Sequence, residues 1–168
     1  EQILTELLAA LARGLDATAE MDAAMMHLRL ARRRAAFLVA LADVGGVWNL
    51  DQVTNALSQF ADGAINGATC WLLRDAARRG ELRLGDEARP GLGSGLVILG
   101  MGKLGANELN YSSDVDLIAL YDDEVAPYIG KRTAQDCYIR LLQALVKMLQ
   151  QPTRDGHVLR TDLRLRPD

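Results

Sequence analysis

The 168-residue chain has two cysteines and two histidines. Cys70 and Cys137 lie far apart, with no Cys-x-x-Cys pair and no clustered histidines, so neither a disulfide framework nor a zinc centre is expected and a reducing cytoplasm fits best. Excess positive charge is also lacking. Nineteen Lys and Arg against 22 Asp and Glu leave a net charge of −3, which excludes the broad basic surface of a sequence-independent nucleic-acid binder. No apolar run approaches membrane-spanning length, and no signal-peptide pattern opens the chain. The sequence starts at Glu1 rather than Met and stops within the pattern "RLRPD", as expected of an excised piece of a longer polypeptide. Hydrophobic residues at 49% and charged residues at 24% describe a globular chain able to bury a core.

Residues 1–84 are rich in Ala, Leu and Arg, with Ile3, Leu4, Leu7, Leu8 and Leu11 at helical spacing, and predict about three helices. Gly45 and Gly46 are expected to end one helix, and Asn49 or Asp51 to cap the next. The run Arg32 to Arg34 reads as a solvated helix face, and Trp48 and Trp71 as packing anchors. Residues 85–94, with Pro90 and several glycines, form a linker between helix-forming and strand-forming sequence. Beyond it, "GLVILG" predicts a short strand, and its lack of alternation predicts burial on both faces. "SDVDLIALYD" predicts a second strand, "RTAQDCYIRLLQALVKMLQ" a long amphipathic helix and "HVLRTDLRLR" a third strand.

The stretch "GMGKLGANELNYSSDVDLI" carries two competing nucleotide signals. Gly100, Gly102 and Gly105 spell the Gly-x-Gly-x-x-Gly of a dinucleotide-binding turn, with Asp122 or Asp123 near the distance of a ribose-binding acid. That fold needs a parallel crossover of roughly a dozen or more residues after the turn. Only Ala106 to Ser113 are available before Asp114, and "NYSS" forms turns. The Rossmann reading would also bury Asp114 and Asp116 without a partner.

Read as a strand, the same residues place Asp114 and Asp116 on one face while Val115, Leu117 and Ala119 turn to the core. Paired carboxylates repel unless a cation lies between them, and hard oxygen ligands suit Mg²⁺ or Mn²⁺ holding nucleotide phosphates. In the last strand Asp162, Arg164 and Arg166 alternate with Thr161, Leu163 and Leu165, adding a third carboxylate and two guanidinium groups suited to phosphate oxygens. The glycine turn then brings backbone N–H groups toward an anion, with Gly102, Lys103, Ser112 and Ser113 as its contacts. His157 reads as a turn residue, and Glu108 as either a cap of the short helix or a group that orients a metal ligand.

The segments "GMGKLGANELNYSSDVDLIALYD" and "HVLRTDLRLRPD", in that order, resemble the glutamine synthetase adenylyltransferase/adenylyl-removing enzymes of the DNA polymerase β-like nucleotidyltransferase superfamily. The helical stretch "LRLARRRAAFLVALADVGGVWNLDQVTNALSQFAD" is similar to the segment that precedes the catalytic core in that family. The resemblance implies an α+β fold: a helical region at 1–84, a linker at 85–94, and at 95–168 a nucleotidyltransferase core with a mixed sheet and flanking helices, incomplete at its C-terminal end. Members carry two catalytic halves. One removes AMP from a tyrosine of glutamine synthetase by phosphorolysis, giving ADP, and the other attaches AMP from ATP. Met101 in "GMGKLG", and Asn110, Ser112 and Ser113 in "ELNYSSD", resemble the removing half.

By that resemblance Asp114, Asp116 and Asp162 are the metal ligands and catalytic carboxylates, and Gly102, Lys103, Ser112 and Ser113 contact nucleotide. Arg164 and Arg166 extend that set on the alternation of the last strand, and Ala106 departs from the family, which often has Gly there. The implied cofactor is Mg²⁺, or Mn²⁺, with ATP or ADP and inorganic phosphate as substrates or products. The implied partners are glutamine synthetase and the PII signal protein, with no nucleic acid and no membrane. A non-catalytic docking module is the alternative from a different class.

Overall fold

In the computed structural model, residues 2–122, 124–125 and 127–167 are described, without the side chains of 165–167. Three helices come first: α1 (Gln2–Asp16), α2 (Met21–Val44) and α3 (Leu50–Arg78). In α1 the inward face is Leu4, Leu11 and Leu15, while Ile3 stands exposed. The α2–α3 turn follows the sequence expectation. Asn49 Oδ1 accepts from the Gln52 backbone N–H at 2.9 Å, and the Gln52 side chain accepts from the Asn49 N–H at 3.0 Å, a reciprocal cap that satisfies two orphan donors. Trp71 is buried, and its indole N–H donates to the Thr18 carbonyl at 2.9 Å, fixing the α1–α2 connection on α3.

After the loop at 85–94 come β1 (Leu96–Gly100), the single turn α4 (Gly102–Gly105), β2 (Val115–Tyr121), α5 (Ala134–Gln150) and β3 (Thr161–Pro167). The sheet order is β1-β2-β3, with β1 antiparallel and β3 parallel to β2. A Rossmann turn requires a parallel partner and a full crossover helix. The antiparallel β1–β2 pair and the four-residue α4 exclude it, and Asp123 lies outside the described residues.

One face of the sheet is covered. Val115, Leu117, Ala119 and Tyr121 are buried, and Tyr121 stacks on Tyr138 of α5 with ring centroids 5.3 Å apart. A continuous cluster of buried side chains runs from Leu11 and Leu28 through Phe60 and Trp71 to Leu117 and Leu145. The other sheet face is open, which corrects the expectation that "GLVILG" is buried on both sides: Val97 is 52% and Leu99 42% exposed. β1 is an edge strand of this sheet, and its Leu96 and Ile98 side packs against the main core cluster while the Val97 and Leu99 side faces outward.

Arg29 joins the two parts. It is 1% exposed, and its guanidinium donates to the carbonyls of Met25 (2.8 Å), Gly156 (2.9 Å), Met148 (3.4 Å) and Gln151. These oxygens belong to α2, the end of α5 and the loop entering β3. Burial pulls the guanidinium below its usual range, and the nearby Asp155 carboxylate opposes that.

Arg29→Met leaves these buried carbonyls without their donor and is expected to lower unfolding free energy by about 2–4 kcal/mol, measured by urea denaturation. A second expectation concerns alkaline pH. Tyr138 is fully buried and donates to the Ser94 carbonyl, and burial, with a smaller contribution from Cys137, pushes its hydroxyl up to about 12 from an ordinary value of 10. A folded value above the unfolded one contributes stability that is complete below pH 10 and lost as pH rises toward 12. The urea midpoint should fall across that window, and Tyr138→Phe should flatten the fall.

Candidate functional site

Strand alternation builds the acidic face. Along β2 the core takes Val115, Leu117, Ala119 and Tyr121, which leaves Asp116 exposed on the opposite side and Asp114, just before the strand, exposed as well. The parallel register sets Asp116 opposite Asp162 and Ile118 opposite Arg164, so the carboxylates of β2 and β3 rise from one sheet face. Arg166 pairs through its backbone with Leu120, and its side chain lies outside the described residues.

Each carboxylate has a different environment. Asp114 Oδ1 is 2.7 Å from Arg160 Nε, and the same guanidinium donates to the Ser112 carbonyl at 2.6 Å. Asp162 Oδ2 is 3.8 Å from Arg164 Nη2. The Asp114 and Asp162 side chains are 65% and 60% exposed, so water screens both pairs and neither holds its carboxylate firmly. These two aspartates share a hollow with Gln150, His157, Arg160 and Thr161, while Asp116 directs Oδ2 at Gly102. Among the described residues no three Asp, Glu, His or Cys side chains are drawn together tightly enough to form a metal-holding group. The aspartates share a face, and their carboxyl groups are spread along it.

The glycine turn meets this face at Asp116. The Met101 N–H donates to the Asp116 carbonyl at 2.9 Å, joining the start of α4 to β2. Gly102 has φ +54°, and a Cβ there would stand 3.3 Å from Asp116 Oδ2, so glycine supplies both the left-handed backbone and the clearance. Gly105 is required for a different reason, since its Cβ would fall 2.6 Å from the Gly100 carbonyl oxygen. Lys103 is exposed in this turn. Ala106 has φ −87°, an ordinary helical value, and the left-handed position falls on Asn107, so alanine is accommodated.

Ser112 and Ser113 sit in a turn organised by Asn110. Its Oδ1 accepts from the Ser112 N–H at 3.0 Å and the Ser113 hydroxyl at 2.9 Å, and the Asn110 N–H donates to Ser113 Oγ at 3.2 Å. The Ser113 hydroxyl therefore serves the turn itself, while Ser112 is exposed. Helices hold this loop from behind: the Leu109 N–H donates to Ser58 Oγ at 3.2 Å, and the Tyr111 hydroxyl to Asp43 at 2.9 Å. Glu108 is turned away, into a hollow with Asn49, Gln52 and Asn55, and it does not orient the aspartates.

Sequence reasoning passed over Arg160, which lines two hollows, one of them shared with Asp114 and Asp162; His157 lies in the turn segment between α5 and β3, as expected, and lines the same two hollows. A signal for Arg160 was present, because it continues the even-numbered alternation of Asp162 and Arg164. The run Arg32 to Arg34 is the expected solvated face at Arg33 and Arg34 and departs from it at Arg32. Arg33 is exposed and pairs with Asp155 at 3.5 Å, Arg34 is exposed, and Arg32 is half-buried against a hollow.

This combination of a glycine turn, an Asp-x-Asp strand and an acid on the neighbouring parallel strand accompanies a family match along the chain. The sequence model of glutamate-ammonia ligase adenylyltransferase matches residues 2–168, and the chain belongs to that family. Similar curated proteins carry the name bifunctional glutamine synthetase adenylyltransferase/adenylyl-removing enzyme. That of Xanthobacter autotrophicus is 51% identical over 144 residues, covering 86% of this chain and 15% of the relative. That of Bradyrhizobium sp. is 47% identical over 165 residues, covering 98% and 17%, and that of Rhodopseudomonas palustris is 43% identical over all 168 residues, covering 17% of its length. The chain thus spans between 15% and 17% of the length of these relatives.

Gly105→Ala forces a methyl group against the Gly100 carbonyl and is expected to destabilise the fold by about 1–3 kcal/mol in urea denaturation. Lys103→Ala, at an exposed position of the same turn, should stay within about 0.5 kcal/mol of the parent.

Proposed function

We propose that residues 95–168 belong to a polymerase β-like nucleotidyltransferase core, supported by the helices of residues 1–84, and that the protein removes AMP from adenylylated glutamine synthetase. The observation that carries this reading is the in-register pairing of Asp116 with Asp162 beside the Gly102 turn. "GMGKLG" and "ELNYSSD" favour the removing half over the adenylylating half. Glutamine synthetase is then the protein substrate, the PII signal protein a regulator of the whole enzyme, and the cytoplasm the site of action.

In the proposed reaction an oxygen of inorganic phosphate attacks the phosphorus of tyrosyl-AMP. The bond from phosphorus to the tyrosyl oxygen breaks, ADP forms, and the tyrosinate takes a proton from water. The donor set fits a hard divalent cation, because Asp116 and Asp162 bring like charges side by side from adjacent strands, with Asp114 on the same face. Asp114, Asp116 and Asp162 would hold Mg²⁺ or Mn²⁺, which neutralises phosphate charge and polarises the phosphorus–oxygen bond when bound. The Gly102 turn brings backbone N–H groups close to a phosphate without side-chain obstruction, and Lys103 adds a positive charge at its rim. Arg164, next to Asp162, and Arg166 are proposed as guanidinium partners of phosphate oxygens, while Arg160 contacts Asp114 and Ser112 lies at the edge. Catalysis of this kind is mainly positioning and charge stabilisation.

The test is ADP release from adenylylated glutamine synthetase with phosphate and Mg²⁺. Asp114→Asn and Asp116→Asn should each lower the rate at least about a hundredfold with the fold unchanged by circular dichroism. Undiminished release by either variant would remove the assigned roles.

A further inference from the structure

A second hollow lies behind the 109–113 loop, between that loop, α2 and α3, and the residues leading into β3. Its volume is about 280 Å³. Leu57 and Phe60 form an apolar floor, and the polar lining is Arg32, His157, Arg160 and the Asn110 to Ser113 turn. Among the described residues that line it there is no carboxylate.

Arg32 makes this arrangement unusual. It is half-buried on α2, and among the described residues its guanidinium has no hydrogen bond or ion pair, whereas Arg29, one turn earlier, is satisfied by four carbonyls. No fully buried side-chain nitrogen or oxygen in the described residues lacks a partner, so the Arg32 nitrogens are open to solvent, and the residue lines the hollow. Burial depresses the Arg32 guanidinium, and no nearby acid offsets that. An apolar floor weakens screening, which makes an unpaired cation expensive and strengthens its attraction to an anion. Arg160, at the other wall, is already shared between Asp114 and the Ser112 carbonyl.

We propose that this hollow binds a small tetrahedral oxyanion of the phosphate class, with Arg32 as its principal ligand and the Ser112 hydroxyl, His157 and Arg160 around it. Guanidinium geometry matches two oxygens of such an anion, and hydroxyl and imidazole donors suit the others. The volume is several times that of orthophosphate, so size does not choose between a free phosphate and a phosphoryl group carried on a larger molecule; the lining of guanidinium, imidazole and hydroxyl donors is what selects the oxyanion. Free orthophosphate, the least substituted member of that class, is the occupant assigned here, and AMP is the alternative that the experiment separates from it. Binding here does not require the reaction proposed above, and measuring it without metal or protein substrate keeps failure of one separate from failure of the other.

The experiment is isothermal titration of the chain with orthophosphate, with AMP in a parallel arm. One orthophosphate should bind per chain, Arg32→Gln should weaken binding at least about tenfold, and Arg32→Lys should fall between the two. AMP should bind more weakly than orthophosphate, whereas tighter AMP binding that Arg32→Gln abolishes would overturn the assignment to free phosphate. A thermal readout guards against misfolding: phosphate should raise the melting temperature of the parent and not of Arg32→Gln, while the two melt alike without phosphate. Equal phosphate affinity in the parent and Arg32→Gln, or no saturable binding up to about 10 mM, would overturn the proposal.

Discussion

The register between β2 and β3 is the constraint on which the acidic face depends. Because strand side chains alternate, sliding β3 by one residue would turn Asp162 and Arg164 into the core and bring Thr161 and Leu163 out. The core opposes this slip. Leu163 packs beside the main cluster, and Gln150, at the end of α5, donates to Thr161 Oγ1 at 2.9 Å and to its carbonyl. The same central strand receives the glycine turn from its other side, through the Met101 N–H on the Asp116 carbonyl. One residue, Asp116, is thus in register with the acid of β3 and tied by its backbone to the glycine turn that opens α4.

Apolar packing alone would not aim these elements, because it is non-directional. The helices supply direction through a few polar ties. Arg29 gathers the end of α5 and the approach to β3, Ser58 fixes Leu109, and Asp43 holds Tyr111. These contacts grip the two loops that flank the acidic face, one before β2 and one before β3. The helical region therefore acts on the site without contributing a carboxylate to it.

Charge is separated across the same loops. Three carboxylates stand on the open sheet face, while the hollow behind the 109–113 loop is lined by Arg32, His157 and Arg160, with no acid among the described residues that line it. Arg160 belongs to both sides, since its Nε contacts Asp114 and the residue lines the hollow. The net charge of −3 hides this local division, which whole-chain composition averages away.

Much was legible in the sequence for a local reason. Helical spacing and the Asn49 cap, the alternation around Asp114 and Asp116, and the punctuation by Gly45, Gly46 and Pro90 are encoded by residues close together in the chain. Short spacing also argued against a Rossmann turn, and the antiparallel β1–β2 pair agrees. Tertiary structure decided the rest. The exposure of Val97 and Leu99 depends on which sheet face the helices cover, the inward turn of Arg32 on how α2 meets the 109–113 loop, and the Asp114–Arg160 contact on a pairing between residues 46 positions apart in the chain. Local sequence determines which way a side chain faces along its own element, and only the packing of distant elements determines what it faces.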